Sequence, residues 1–170
     1  MGVIGIILSQ WMASVVFGMG AVYATKMGMS VSEVAFFMGS MMAGGMILQW
    51  PLGKLSDHMD RRWVLGGASI VALIAALAAS GETVASDKLY ILAFVFGGFC
   101  LSLYSIVAAL TNDHLRPSEI VPASGTMVLL AGLTSITGPI TVAFWMDVFG
   151  LDSFFLVLAV ALFFMAVISI

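Results

Sequence analysis

This sequence predicts an all-α membrane protein of six transmembrane helices, and three observations carry that prediction. First, 62% of its 170 residues are hydrophobic and 9% charged, with a mean hydropathy of +1.15; a soluble domain runs at roughly 45–50% apolar and about 25% charged. Second, the few charged side chains fall in five clusters and leave six charge-free stretches of 18 to 27 residues. A helix needs about 20 apolar residues, within a range of roughly 17–25, to cross a bilayer. Third, no stretch shows the alternation of a β-barrel strand, least of all residues 154–170. In hydrocarbon each unsatisfied backbone group costs several kcal/mol, so lone segments of this length must be helices. A soluble helical bundle would need charges at helical spacing on its outer faces, and these stretches have none. Six Lys and Arg with a net charge of -3 exclude a nucleic-acid binder. The single cysteine, Cys100, has no intramolecular disulfide partner.

The six spans form one domain, residues 1–170, and cover about residues 1–25, 34–55, 63–81, 89–112, 120–146 and 153–170. Span 1 lacks a positive leading region and runs longer than a signal-peptide core, so it reads as a span and not as a cleaved leader. Span 2 carries Met38, Met41, Met42 and Met46. Thioethers suit Cu(I), but no His or Cys stands beside them, and methionine fills irregular gaps well; no metal and no cofactor are expected. Span 3 is nearly featureless. Span 4 holds Ser102, Tyr104 and Ser105, and span 5 holds Gly138-Pro139. Proline removes a backbone donor and can kink a helix there. Span 6 reaches Ile170 with no charged flank, which suggests a chain cut from something longer.

Orientation follows from Lys and Arg in the short loops. The loops after spans 2 and 4 carry Lys54, Arg61, Arg62 and Arg116, against Lys26 and Lys88 on the other side. That bias puts loops 2–3 and 4–5, and both termini, in the cytoplasm of a cell whose inner (plasma) membrane holds the chain. His58 and His114 fall in those loops, and no carboxylate or histidine lies mid-span, so no proton relay is legible.

The ends of spans 2 and 5 echo each other. Gly53-Lys-Leu-Ser-Asp57 has a small residue four positions before an aspartate, and so has Ala143-Phe-Trp-Met-Asp147. Three spans separate the copies, so they face opposite sides, as three-plus-three inverted repeats require. The longer segment Gly53-Lys-Leu-Ser-Asp57-His-Met-Asp-Arg61-Arg62 resembles the signature loop of the major facilitator superfamily, between spans 2 and 3 of a six-helix half. Gly53, Leu55, Asp57, Arg61 and Arg62 match it. His58 stands where a basic residue is usual and Asp60 where glycine is usual; a weakened copy of this kind is typical of the C-terminal half. Leu48-Gln-Trp-Pro-Leu-Gly53 resembles bacterial permeases of the YcaD type, and Gly138-Pro139 followed by Asp147 and Gly150 resembles that family's Gly-Pro helix.

The resemblance implies half of a major facilitator fold, a 3+3 inverted repeat that moves a small solute by alternating access. The missing partner is the other six-helix half or a second copy of the chain. It also implies a conformational latch. Gly53 would let two helices approach closely, Asp57 would accept hydrogen bonds at a neighbouring helix N-terminus, and Arg61 and Arg62 would pair with carboxylates or lipid phosphates.

Spans 1, 4 and 5 hold most of the Ser, Thr, Asn, Gln and Tyr, and spans 2, 3 and 6 hold two each. Polar spans are expected to face the protein interior or water. The substrate-cavity candidates are Gln10, Ser14, Ser102, Tyr104 and Ser105. They carry no charge, which points away from an ionic solute. Two other classes compete with this reading. An intramembrane enzyme needs a nucleophile and a base at membrane depth, and Cys100 has no His or Asp there. A structural or assembly subunit, or a nonfunctional transporter fragment, is the alternative to a transporter.

Overall fold

The structure, a computed structural model, describes residues 2–82, 85–113, 115–116 and 118–169. His114 and the chain ends Met1 and Ile170 lie outside the described residues. Six helices follow one another: α1 (Gly2–Lys26), α2 (Val31–His58), α3 (Arg61–Ser80), α4 (Asp87–Asn112), α5 (Ile120–Phe149) and α6 (Ser153–Ser169). The first five are long and apolar enough to cross a membrane. The sixth, 17 residues, is apolar but shorter; at 1.5 Å per residue it reaches about 26 Å, just under a hydrocarbon core of about 30 Å.

Capping chemistry moves the helix starts outward from the charge-free stretches. Ser30 and Glu33 form a capping box: the Glu33 backbone N–H donates to Ser30 Oγ at 3.4 Å and the Ser30 N–H donates to Glu33 Oε2 at 2.7 Å. The first turn of α2 therefore lies outside the apolar stretch. Asp60 caps α3 by accepting from the Arg62 N–H at 2.9 Å, and Ser86 caps α4 by accepting from the Leu89 N–H at 3.2 Å. Helix α5 stops at Gly150, whose φ of +92° is a conformation that side-chain-bearing residues rarely adopt.

Helices α1 and α4 run through the middle. Helix α2 packs along α4, α5 along α1, and α3 and α6 pack against each other, with α3 also on α4. The α2–α4 contact is backbone on backbone. A Cβ on Gly44 would strike the Phe94 carbonyl, and one on Gly97 would strike the Met41 backbone. Such closeness is available only to small residues and is how helices associate in lipid. An aromatic cluster joins four helices: Tyr23 stacks on Phe154 at 4.7 Å, and Phe37, Phe96 and Phe155 meet edge to face around it. All five are buried.

Exposure differs between helices. Half of the apolar windows of α3 and α4 is buried, but only 22% of those of α2 and α5. The outer faces of α3 and α6 are plain hydrocarbon, with Ile70, Ile74, Leu77, Val160, Phe163 and Phe164 exposed. Helix α5 is polar by count, and its Ser135, Thr137 and Thr126 are exposed on the surface of this chain. Each donates its hydroxyl to its own helix, to Ala131 O at 2.7 Å, Thr134 O at 3.3 Å and Pro122 O at 3.2 Å respectively. A serine or threonine satisfied this way does not reveal which face is buried.

Candidate functional site

The signature-loop residues gather where α2, α3 and α4 end together. Arg61 is the hub. Its Nε donates to Asp113 Oδ2 at 2.7 Å, and one Nη lies 3.1 Å from Asp57 Oδ1 and donates to Ser56 Oγ at 3.1 Å. The Arg61 side chain is 21% exposed, while Asp57 and Asp113 keep 63% and 51% of theirs in contact with solvent. Two carboxylates on one guanidinium is a charge-assisted arrangement with directional donors. A recess of about 490 Å³ opens beside it, lined by Asp57, Asp60, Arg61, Arg62 and Asp113. Among the described residues Arg62 makes no ion pair.

Two parts of the expected latch differ from their sequence reading. Asp57, in the last turn of α2, pairs with Arg61 at the start of α3 across the short break at Met59 and Asp60, and it is Asp60 that caps the following helix. Gly53 makes no close helix–helix approach: beyond its own helix backbone, nothing lies within 4 Å of where its Cβ would stand. Leu55 is likewise exposed. Both face outward from this chain. Asp113 was missed, although an acid at the exit of span 4 on the Arg61 side was the available signal.

The second copy of the echo lies at the other end of the bundle. Lys26 Nζ, at the end of α1, sits 2.7 Å from Asp147 Oδ1, in the last turn of α5. Thus α2 and α4 are tied at one end through Asp57, Arg61 and Asp113, and α5 and α1 at the opposite end through Asp147 and Lys26. An inverted repeat exchanges α2 with α5 and α4 with α1, so the two ion clusters occupy equivalent places.

Gly138 and Pro139 form the α1–α5 contact. A Cβ on Gly138 would strike Ser14 Oγ, and Pro139 Cγ lies 2.8 Å from where a Gly18 Cβ would be. Ser14 belongs to this contact: its hydroxyl reaches Trp11 O at 2.8 Å and Thr134 O at 3.1 Å. Ser102 is fully buried and donates to Gly98 O at 2.6 Å. Ser105 donates to Ser102 O at 2.8 Å. Both follow from local back-bonding, which spares a hydroxyl any partner on another helix.

Gln10 and Tyr104 do come together. They line a groove of about 300 Å³ between α1, α2 and α4, with Phe17, Met42, Met46, Leu101 and Gln49. Gln49, the additional polar residue, was passed over because span 2 as a whole is apolar. Gln10, Gln49 and Tyr104 lie at one depth, each about 6–7 Å from the middle of its own helix toward the Arg61 end.

A multi-pass bundle of apolar helices, with ion clusters at both ends and a polar groove at membrane depth, has the architecture of a membrane transporter unit. The family model of the Major Facilitator Superfamily matches residues 2–170, and the chain belongs to that family. It is 28% identical over 159 residues to an uncharacterized MFS-type transporter of Enterobacter sp. (strain 638), and 26% identical to the uncharacterized MFS-type transporter YcaD of Escherichia fergusonii. Each match covers 94% of this chain and 41% of the relative, so the chain spans about two fifths of these curated relatives. The crystal structure of the POT family transporter PepTSo shares the fold, with a TM-score of 0.79 at 13% identity over 99% of this chain and 36% of that one.

Proposed function

We propose that this chain is one six-helix half, of the C-terminal kind, of a secondary transporter that carries a small solute across the plasma membrane by alternating access. No covalent chemistry is involved. The observation that carries the reading is the outward face of α2 and α5. These helices are the least buried, and they hold glycines whose missing side chains face open space: Gly39, Gly53, Gly125 and Gly132. Small residues on a membrane helix let a second helix approach closely, so these faces suit the other half of the transporter or a second copy better than lipid. The groove at Gln10 opens beside α2 and becomes one wall of a central cavity once that partner is seated. The Lys and Arg bias supports a cytoplasmic position for the Asp57–Arg61–Asp113 cluster and for both termini. There the cluster holds α2, α3 and α4 together while the cavity opens outward, and its loosening lets the opposite state form.

A Gln10→Cys variant of the full-length protein, with its other cysteines replaced, tests this without knowledge of the substrate. In right-side-out and inside-out vesicles, a membrane-impermeant maleimide is expected to label the cysteine from both sides. Labelling from one side only contradicts alternating access and favours a static assembly subunit.

A further inference from the structure

We infer that the groove is a subsite for an uncharged solute that has an apolar body and a hydrogen-bonding edge carrying both a donor and an acceptor. This rests on the reading that the groove lines the transport path, and it goes further by naming the ligand chemistry.

The heads of Gln10, Gln49 and Tyr104 converge on one groove from three helices at one depth. Among the described residues none of them is engaged in a hydrogen bond. That sets them apart from the serines and threonines of the spans, whose hydroxyls are bound to carbonyls of their own helices. Two carboxamides and a phenol offer donors and acceptors together and no formal charge. The segments of α1, α2 and α4 that build the groove contain no Asp, Glu, Lys, Arg or His, the nearest along each helix being Lys26, Lys54 and Asp113. An ion entering there would lose its hydration with nothing to neutralise it, and desolvating an unpaired charge is far costlier than desolvating a neutral polar group. The rest of the lining is soft and apolar. Phe17 offers a ring, and Met42 and Met46 offer polarizable, unbranched side chains that adapt to irregular shapes. This combination fits an amide-like or hydroxylated molecule with an aromatic or aliphatic body.

The probe is dansylamide, with a trimethylammonium-linked and a carboxylate-linked dansyl derivative as charged counterparts. Binding to the purified full-length protein is read from the rise in dansyl fluorescence. Dansylamide is expected to bind saturably and at least tenfold more tightly than either charged derivative. The Gln10→Leu, Gln49→Leu double variant should weaken it at least fivefold. Tyr104→Phe, which removes one hydroxyl, should weaken it roughly two- to tenfold, the range of a single hydrogen bond. An unchanged elution profile shows that the variants remain folded. No saturable dansylamide binding, tighter binding of a charged derivative, or unaltered affinity in both variants would overturn the inference. If two-sided labelling at Gln10 holds while a charged derivative binds best, the transport path stands and only the solute class falls. If labelling is one-sided, the path itself falls.

Discussion

Lys26 and Asp147 hold each other at 2.7 Å at the end of the bundle opposite to Arg61. The pair ties α1 to α5 where the other cluster ties α4 to α2, so among the described residues each central helix is ion-paired to its flanking helix at one end. A bundle clamped in this way has two places at which a rocking motion must break or form ion pairs, one for each face of the membrane.

The two clamps should therefore bias the conformation in opposite directions. In the full-length Gln10→Cys protein, Asp57→Asn is expected to raise labelling from the cytoplasmic side and lower it from the outer side. Lys26→Met is expected to do the reverse. Equal shifts in the same direction would show that the pairs act only as surface charges.

The Arg61–Asp113 pair should contribute measurably but modestly to stability. Asp113 is half-exposed and Arg61 one-fifth exposed, so a double-mutant cycle of Arg61→Ala and Asp113→Ala, read by thermal unfolding in detergent, is expected to give a coupling of about 0.5–1 kcal/mol. Solvent exposure at the Asp113 end keeps the value in the range of surface pairs.

Glycines that touch backbone and glycines that face outward should respond differently. Gly44→Ala places a methyl group against the Phe94 carbonyl and is expected to cost about 1–3 kcal/mol, or to abolish folded protein. Gly67→Ala, on α3 with nothing within 4 Å, should be neutral or stabilising by up to about 1 kcal/mol from helix propensity. Equal melting temperatures for the two variants would contradict the close α2–α4 approach.

A larger replacement separates lipid-facing from partner-facing surfaces. Gly132→Leu on α5 should lower the melting temperature of the full-length protein, because the proposed arrangement seats the other half there. Gly67→Leu on α3 should not. If both are silent, α5 faces lipid and the proposed seat of the other half is wrong.

The α1–α5 contact predicts a rescue. Gly138→Ala collides with Ser14 Oγ, so adding Ser14→Ala should restore part of the stability lost. A double variant no more stable than Gly138→Ala alone would show that the Trp11 carbonyl, 3.1 Å from the same point, dominates the clash.

The spans were legible because the penalty for a charge in hydrocarbon is large, and it leaves charge-free stretches that any reader can measure. Their ends were less so. Ser30, Asp60 and Ser86 start their helices among charged residues, where composition is silent and capping decides. Asp57 and Arg61 pair across the short break between α2 and α3, where nearness in sequence brings them together. Arg61 and Asp113 are joined by topology alone, since 52 residues separate the partners. The groove was half legible. Gln10 and Tyr104 share one groove, where their long polar heads reach past their own helices, whereas the short hydroxyls of Ser102 and Ser105 are bound to carbonyls of their own helix. Gln49 was hidden by counting polarity span by span when depth in the membrane is what brings these residues together.

The central claim is the antiparallel map that puts Asp57 and Asp147 on opposite faces of the membrane. Single Asp57→Cys and Asp147→Cys variants, probed in intact cells with an impermeant maleimide and again after permeabilisation, test it directly. The map predicts that the Asp147→Cys variant is labelled in intact cells and that the Asp57→Cys variant is labelled only after permeabilisation. Labelling of both under the same condition would contradict it.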